Sequence, residues 1–362
     1  MQSITSKELI KNNDPSILIL DIRDSNKFNN WHIKNSQNID VYNDIWEGNF
    51  DTVKKKLGQL PKDKKIVTVC NAGVTSQNAS MLLESMGYHT LILEKGMMGW
   101  NSLHQPVDVI NENDLLLKQI IRIGKGCLSY LIGSNSSKEC FIVDPSQFVD
   151  EYVEIAKEAG FTIKGVIETH VHADHLSGAK ALTELTKSKY YIWEKITSGV
   201  GDFFHFQLGE NEIKIIATPG HTDGSVCLLV NDKLILTGDT LFLEGCGRPD
   251  LGRNKEEIEK GAKALYSALN KIKALNKDLI VLPAHFTSYN AIPICERLSN
   301  LSINNLALKI NSEQEFVDYI SNNLPMTPPN YEQIKSINLN FMQLPRQMAE
   351  QLEFGPNRCG SG

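Results

Sequence analysis

The sequence lacks the features of several protein classes. Its 362 residues carry 37 Lys and Arg against 43 Asp and Glu, a net charge of −6, with no basic block. Nucleic acid is therefore not an expected partner. No apolar run reaches the roughly 20 residues of a membrane span, and Met1 to Glu8 lack the apolar stretch of a secretory signal. We therefore expect no membrane partner.

Cysteine is scarce and shows no paired spacing. The seven cysteines are an odd number in a chain too long to need disulfide cross-links. This usage predicts a reducing compartment, which we take to be the cytoplasm. The length predicts about two domains, and a homodimer is the default expectation for a symmetric assembly.

Two domains are indicated by a change of pattern near Pro106. Before it, short apolar runs such as Ile66 to Val69 alternate with helix-like stretches such as Ser76 to Met86. This alternation predicts an α/β domain with a parallel sheet and flanking helices over residues 1–108. Strand-like runs dominate after it, and a capping-box pattern at Ser312 opens a helical segment near the end. We assign the second domain to residues 113–362.

The strongest chemical signal is the segment from Thr169 to His175. It places His170, His172, Asp174 and His175 directly after the apolar run Gly165-Val166-Ile167. Residues two apart on an extended segment point the same way, so His170 and His172 can face one point. Imidazole nitrogen and carboxylate oxygen suit zinc or iron better than calcium or magnesium. The segment predicts a metal site.

Further ligands are expected where other strands end. Three later apolar runs are each followed, directly or after a turn, by a residue of a type that binds metals. These residues are His221, Asp239 and His285.

The ordered set of ligands resembles the metallo-β-lactamase superfamily over roughly residues 113 to 290. This resemblance implies an αββα fold, in which two sheets lie between helices and the metal lies at one edge. In this chain the fold would carry a C-terminal helical extension.

Cys70 ends the apolar run Ile66 to Val69 and is followed by a loop and a helix. Successive backbone N–H groups in such a passage form an anion-binding nest, and the helix N-terminus adds partial positive charge. Both favour a thiolate, or a persulfide anion carried on the sulfur. Cys70 is therefore a candidate nucleophile.

The surroundings of Cys70 resemble a rhodanese domain over roughly residues 1 to 105. The resemblance rests on Asp21-Ile22-Arg23-Asp24, on Trp31-His32-Ile33, and on Gly96 with Trp100. It implies that Cys70 carries a sulfane sulfur between a donor such as thiosulfate and an acceptor. One departure is Thr75, which stands where the family usually has an arginine that pairs with an anionic donor.

The metal site has two possible chemistries within the superfamily. In a two-zinc thioester hydrolase resembling glyoxalase II, a metal-bound hydroxide attacks the substrate. One zinc would lie on His170, His172 and His221, the other on Asp174, His175 and His285, with Asp239 bridging. In the persulfide dioxygenases, a single iron uses only the residues matching His170, His221 and Asp239. His172, Asp174, His175 and His285 would then orient those ligands.

Two features favour the dioxygenase. The loop Gly245-Cys246-Gly247-Arg248 resembles persulfide dioxygenases, where the residue matching Arg248 binds the carboxylate of glutathione. A sulfur-transfer domain also shares a substrate with a persulfide oxidiser and not with a thioester hydrolase. The resemblance implies one Fe(II) per chain, with glutathione persulfide and O2 as substrates and sulfite and thiosulfate as products. Glutathione, coenzyme A and bacillithiol all stay open as the thiol.

Overall fold

The computed structural model describes residues 2–12, 14–193, 205–289, 291–357 and 360–361. The chain divides into two compact units. The first comprises Met1–Gln105, Arg122–Lys125 and Phe354–Pro356, and the second Pro106–Ile121, Gly126–Glu353 and Asn357–Gly362. Among the described residues, no helix is both long and apolar enough to cross a membrane.

The first unit contains a five-stranded sheet in the order β1-β5-β4-β2-β3. Its strand pairs are all parallel, as the alternating pattern predicts. The strands are β1 (Ser3–Ile4), β2 (Ile17–Asp21), β3 (Gln37–Asn38), β4 (Lys65–Val69) and β5 (His89–Leu93). The helices are α1 (Ser6–Asn12), α2 (Ser25–Asn30), α3 (Tyr42–Trp46), α4 (Phe50–Leu57), α5 (Val74–Ser85) and α6 (Gly96–Asn101).

Helices cover both faces of this sheet. Side chains alternate across a strand, so Ile66 of β4 joins an apolar cluster with α4 and α5, while Val67 and Val69 join another with α1 and α6. A parallel sheet buried on both faces explains why its strands read as continuous apolar runs. The predicted α/β fold of this unit is confirmed.

The second unit contains two six-stranded sheets, in the orders β11-β10-β9-β8-β7-β6 and β12-β13-β14-β15-β17-β18. The first consists of β6 (Gln105–Glu112), β7 (Leu115–Arg122), β8 (Cys127–Ser134), β9 (Glu139–Val143), β10 (Thr162–Ile167) and β11 (Lys189–Tyr191). The second consists of β12 (His205–Leu208), β13 (Asn211–Ala217), β14 (Val226–Val230), β15 (Leu234–Gly238), β17 (Ile280–Pro283) and β18 (Glu296–Arg297). Two short strands, β16 (Cys246–Gly247) and β19 (Gly360–Ser361), pair with each other.

Each sheet of the second unit is covered by its own helices. The first sheet packs against α7 (Val149–Glu158) and α8 (Ala179–Thr186). The second packs against α9 (Lys255–Lys273), α10 (Leu298–Asn304), α11 (Leu306–Lys309) and α12 (Glu313–Asn322). The last helices are α13 (Tyr331–Asn340) and α14 (Arg346–Leu352). This is the predicted αββα fold with a C-terminal helical extension.

Glycines lie at two helix boundaries that the apolar pattern places differently. The stretch Val53 to Leu60 predicts a helix, whereas α4 runs from Phe50 to Leu57, and its C-cap Gly58 has a right-handed conformation with φ −67°. The helix predicted from Ser76 begins at Val74 instead. Gly73 precedes it with φ +85°, a left-handed conformation that turns the chain sharply out of β4.

Candidate functional site

The predicted ligands are carried by segments that follow strands of both sheets in the second unit. The segment from Glu168 to His175 follows β10. Asp239 follows β15, and His285 lies two residues beyond β17. His221 lies in the turn between β13 and β14. All seven predicted metal-site residues are buried. Charged side chains are rarely fully buried in proteins unless another group pairs with them.

Three of these side chains converge on one point. Nε2 of His170 lies 3.6 Å from Oδ2 of Asp239, and Nε2 of His221 lies 3.4 Å from the same oxygen. One ligand atom from each of the three residues lies within 4.8 Å of the others. Metal bonds of about 2.1 Å at angles of about 90–110° would place ligand atoms roughly 3.0–3.5 Å apart. The spacing therefore fits a single transition-metal ion.

Two of the converging atoms are buried without a hydrogen bond. Nε2 of His170 and Oδ2 of Asp239 have no hydrogen-bond partner among the residues that the structure describes. Buried polar atoms in folded proteins almost always have a hydrogen-bond partner. A cation bound between these two atoms would supply the interaction that each of them lacks. Two imidazoles and one carboxylate match the facial set that holds non-haem Fe(II).

The opposite nitrogens of both imidazoles are fixed. Nδ1 of His221 lies 2.8 Å from the carbonyl oxygen of Arg248, which can only accept, so the proton is on Nδ1. Nδ1 of His170 lies 2.9 Å from Oγ1 of Thr169, whose hydroxyl donates to Asp144. Each ring therefore presents the lone pair of Nε2 to Asp239. Burial lowers the pKa of both imidazoles, so both are neutral, as metal ligands must be.

A second group comprises Cys127, Asp174, His175 and His285, with ligand atoms also within 4.8 Å of one another. Here the nitrogens of His285 are both occupied, Nδ1 by Asp239 at 2.6 Å and Nε2 by Asp174 at 3.0 Å. Asp174 also contacts Nδ1 of His175 at 3.0 Å and accepts from the thiol of Cys127 at 3.3 Å. The atoms of this group are thus bonded mainly to one another.

Protonation separates the two groups. Burial opposes the charge on His175, but Asp174 outweighs it and raises the pKa of His175 to about 10. In the same way, Asp239 and Asp174 overcome burial and raise the pKa of His285 well above its usual value. Both imidazoles are cations at neutral pH in this arrangement, whereas those of His170 and His221 are not.

His172 lies apart from the converging atoms. Its Nε2 is 3.4 Å from Oδ1 of Asp144 and 3.9 Å from Oε1 of Glu168. Its ring stands 4.3 Å from the rings of both His170 and His175, measured between centroids. The side chain faces buried carboxylates, and neither of its ring nitrogens makes a hydrogen bond among the described residues.

The predicted substrate-binding residue Arg248 is buried and paired. Its Nε and Nη2 each donate to a carboxylate oxygen of Asp250 at 2.7 Å, and Nη1 donates to the carbonyl of Met326 at 3.0 Å. A substrate carboxylate would have to displace Asp250 to use this guanidinium. Its role in substrate binding stays a prediction.

In the first unit, Cys70 lies at the end of β4 as predicted. Its Sγ accepts from the backbone N–H of Gly73 at 3.1 Å and of Ser76 at 3.4 Å, at the start of α5. The hydroxyl of Ser76 accepts from the thiol at 3.4 Å and donates to the carbonyl of Gly73. The two backbone N–H donors form the anion-binding nest that the sequence predicts. Thr75 is buried in this loop.

Two buried residues near the metal site escape sequence reasoning. Cys127 begins β8 with no metal-binding motif around it, and only the fold brings it to Asp174. Asp144, which accepts from the N–H of Thr169 at 2.7 Å, follows the apolar strand β9. A polar residue at a strand end is the signal that identifies Asp239, and it would have identified Asp144 as well.

Comparison with known families matches both units. A model of the rhodanese-like domain matches residues 5–103, and a model of the metallo-beta-lactamase superfamily matches residues 122–197 and 194–285. The mitochondrial persulfide dioxygenase ETHE1 of Homo sapiens is 30% identical over 223 residues, covering 58% of this chain and 83% of that protein. A probable polyketide biosynthesis zinc-dependent hydrolase of Bacillus velezensis, BaeB, is 30% identical over 206 residues, covering 52% and 85%.

Solved structures agree with the family models. A metallo-beta-lactamase from Staphylococcus aureus superposes with a TM-score of 0.59 at 30% identity, covering 65% of this chain and 75% of that one. ETHE1 from Myxococcus xanthus superposes with a TM-score of 0.54 at 27% identity, covering 61% and 97%. The chain therefore belongs to the metallo-beta-lactamase superfamily, as a fusion in which a rhodanese-like domain precedes a domain related to persulfide dioxygenases.

Proposed function

We propose that the second unit oxidises a low-molecular-weight persulfide with dioxygen at one Fe(II) per chain, and that Cys70 transfers sulfane sulfur. The overall change is RSSH + O2 + H2O → RSH + SO3²⁻ + 2H⁺. The terminal sulfur loses four electrons and dioxygen gains them. In the second reaction, a persulfide on Cys70 gives its outer sulfur to sulfite, which leaves thiosulfate and the Cys70 thiolate. The combined role would be sulfide detoxification.

One observation carries the choice of a single metal ion. The nitrogens of His285 are both engaged by carboxylates, whereas Nε2 of His170 and Oδ2 of Asp239 are buried and make no hydrogen bond within the described part of the chain. The set His170, His221 and Asp239 would hold the iron. Three protein ligands leave coordination positions at which the ion can bring a persulfide sulfur and dioxygen together.

The remaining residues would support this set. The carbonyl of Arg248 and the hydroxyl of Thr169 hold the two imidazoles in the tautomer that presents Nε2. His285 would orient Asp239 through its 2.6 Å contact. The side chain of Asn338 donates to the carbonyls of His172 and His175 at 2.9 Å each, which fixes the segment that follows β10.

The rhodanese-like unit would bind an anion at the backbone nest around Cys70. Because Thr75 is buried and uncharged, the loop has no cation at the position where the family's arginine pairs with thiosulfate. A persulfide therefore suits this loop as the sulfur donor better than thiosulfate.

Metal analysis combined with an oxygen electrode tests the proposal. We expect one iron per chain, and oxygen uptake that depends on both iron and glutathione persulfide and yields sulfite. Active protein free of iron, or protein that consumes no oxygen with any persulfide, would contradict the proposal.

A zinc-dependent thioester hydrolase is the second candidate. The presence of Asp174, His175 and His285 beside the first set favours it, as does the 30% identity to the zinc-dependent hydrolase BaeB. This candidate requires two zinc ions per chain and turnover of S-lactoylglutathione without oxygen. The same metal analysis separates the two candidates.

A further inference from the structure

Lys335 is a half-buried cation with spare hydrogen-bond donors. It lies on α13, and the one hydrogen bond that its ammonium makes among the described residues is a 3.4 Å contact with the carbonyl of Leu251. An ammonium has three donors, so most of its capacity is unused. Burial, followed by the charge of Arg253, lowers the pKa of Lys335. An anion placed beside it would relieve both effects.

A second cation lies next to Lys335. Arg253 donates through Nη1 to the carbonyls of Gly220 at 2.9 Å and Pro249 at 3.1 Å, and through Nη2 to Asp223 at 2.7 Å. Asp223 is 66% exposed, so solvent weakens its compensation of this charge. Lys335 and Arg253 thus lie near the exposed carboxylate of Asp223, and Glu332 accepts a hydrogen bond from the hydroxyl of Tyr331 at 3.0 Å.

Gly252, next to Arg253 in the chain, lies beside Lys335 and Tyr331. A Cβ built on Gly252 would lie 3.7 Å from Nζ of Lys335 and 4.0 Å from the ring of Tyr331, which is ordinary contact distance. Gly252 itself is exposed and has φ +73°, a conformation that favours glycine. We call this surface cluster of Gly252, Lys335, Arg253 and Tyr331 the cationic notch.

Hydrogen bonds to backbone carbonyls connect the elements of the cationic notch with the segments that carry the proposed metal ligands. Arg253 bonds the carbonyl of Gly220, the residue before the proposed ligand His221. One turn along α13 from Lys335, Asn338 bonds the segment that carries His172 and His175. Residues three apart on a helix lie on the same face, so Lys335 and Asn338 share the face that is directed at the metal-binding loops.

We propose that the cationic notch binds the anionic tail of the persulfide substrate, with Lys335 as the residue that selects anionic thiols. This inference rests on the proposed function and assigns the anchoring role to Lys335, because Arg248 is buried against Asp250. The tail would carry carboxylates in glutathione or bacillithiol and phosphates in coenzyme A.

Steady-state kinetics of Lys335→Gln with charged and uncharged persulfides test this inference. We expect the KM for glutathione persulfide to rise about tenfold, the loss of one charge-assisted hydrogen bond, with kcat nearly unchanged. The KM for 2-hydroxyethyl persulfide, which has no anionic group, should not change. Lys335→Arg should restore most of the affinity. Lys260→Gln, which removes an exposed lysine from α9, is the matched control.

Coenzyme A persulfide, run in parallel, identifies the source of the anion, since the wild-type protein should favour either the carboxylate or the phosphate tail. A Lys335→Gln effect that is equal for charged and uncharged persulfides, or absent for every anionic persulfide, would overturn the inference. Binding of unreactive S-methylglutathione, measured by calorimetry, needs no turnover. If the wild-type protein oxidises no persulfide but Lys335→Gln weakens this binding about tenfold, the proposed function is wrong, while the binding of an anionic tail at the cationic notch is supported.

Discussion

Nδ1 of His285 lies 2.6 Å from Oδ1 of Asp239, while Oδ2 of the same carboxylate faces His170 and His221. Asp239 thus divides its two oxygens between a protonated imidazole and the point where the metal ligands converge. Burial alone would raise the pKa of Asp239, but the charge of His285 and its hydrogen bond hold the pKa well below its usual range. The carboxylate is ionised and aimed before any metal binds.

The first prediction concerns His285 as an orienting residue. His285→Gln should keep one iron per chain at saturating metal but weaken iron affinity about 10- to 100-fold, as is typical when a residue that orients a ligand is lost. Competition with a chelator measures the affinity. Asp232→Asn, an exposed aspartate on the β14–β15 turn, is the control. Wild-type protein with two metals per chain, of which His285→Gln loses one, would favour the hydrolase.

The second prediction separates the two activities. Cys70→Ser should abolish thiosulfate formation from persulfide and sulfite, because it removes the atom that carries the sulfur, and should leave oxygen uptake unchanged. Cys295→Ser, which changes a half-buried thiol in the second unit, should affect neither activity. Ion chromatography of thiosulfate beside an oxygen electrode gives both readouts. Sulfur transfer that survives in Cys70→Ser would show that another group carries the sulfur.

The sequence predicts the positions of the ligands because strand ends are local features. The apolar runs of β4, β15 and β17 stop where the pattern places them, and Cys70, Asp239 and His285 follow. Partners that are distant along the chain leave no such trace. The thiol of Cys127 bonds Asp174 across 47 positions, and no periodicity in either segment records the contact.

The pairing of Arg248 shows a second limit of sequence reasoning. The Gly-Cys-Gly-Arg motif predicts an arginine near the site, but a motif does not record what the guanidinium already binds. Asp250, two residues later, accepts hydrogen bonds from both Nε and Nη2 of Arg248. The spare donors of Lys335 are likewise visible only after α13 has been placed beside the loop that ends at Arg253.

The third prediction concerns a buried ion pair in the first unit. Arg23 donates to both oxygens of Asp21 and to the carbonyl of Trp31, and the side chains of the ion pair are 2% and 1% exposed. Arg23→Ala leaves Asp21 buried without its partner, and we expect a loss of about 3–5 kcal/mol in the free energy of unfolding. Lys27→Ala, in the exposed pair with Asp24, should cost less than about 1 kcal/mol.

Tryptophan fluorescence during urea unfolding measures this loss. Three of the four tryptophans, Trp31, Trp46 and Trp100, lie before residue 105, so the signal reports mainly on the first unit. An unchanged unfolding midpoint in Arg23→Ala would mean that water replaces the guanidinium at Asp21.

The last prediction concerns acid stability and Asp114, at the turn between β6 and β7. Burial raises the pKa of this carboxyl, but donors from the backbone of Glu210 and Ser136 and from the hydroxyl of Ser134 outweigh it and lower the pKa from 3.8 to about 2. Ser134 ends a strand of the first sheet, and Glu210 precedes β13 of the second. Asp114 therefore ties the two sheets together, most strongly when it is ionised.

Because the pKa of Asp114 is lower in the folded state, its contribution to stability is complete above about pH 4 and is lost as the pH falls toward 2. Asp114→Asn should lower the free energy of unfolding of the second unit by ~2 kcal/mol at pH 6. A protonated carboxyl resembles an amide, so the difference between wild type and variant should shrink as the pH falls from 4 to 3. Hydrogen exchange of the β13 amides across this range measures the effect. A difference that stays constant with pH would show that the charge on Asp114 does not stabilise the contact between the sheets.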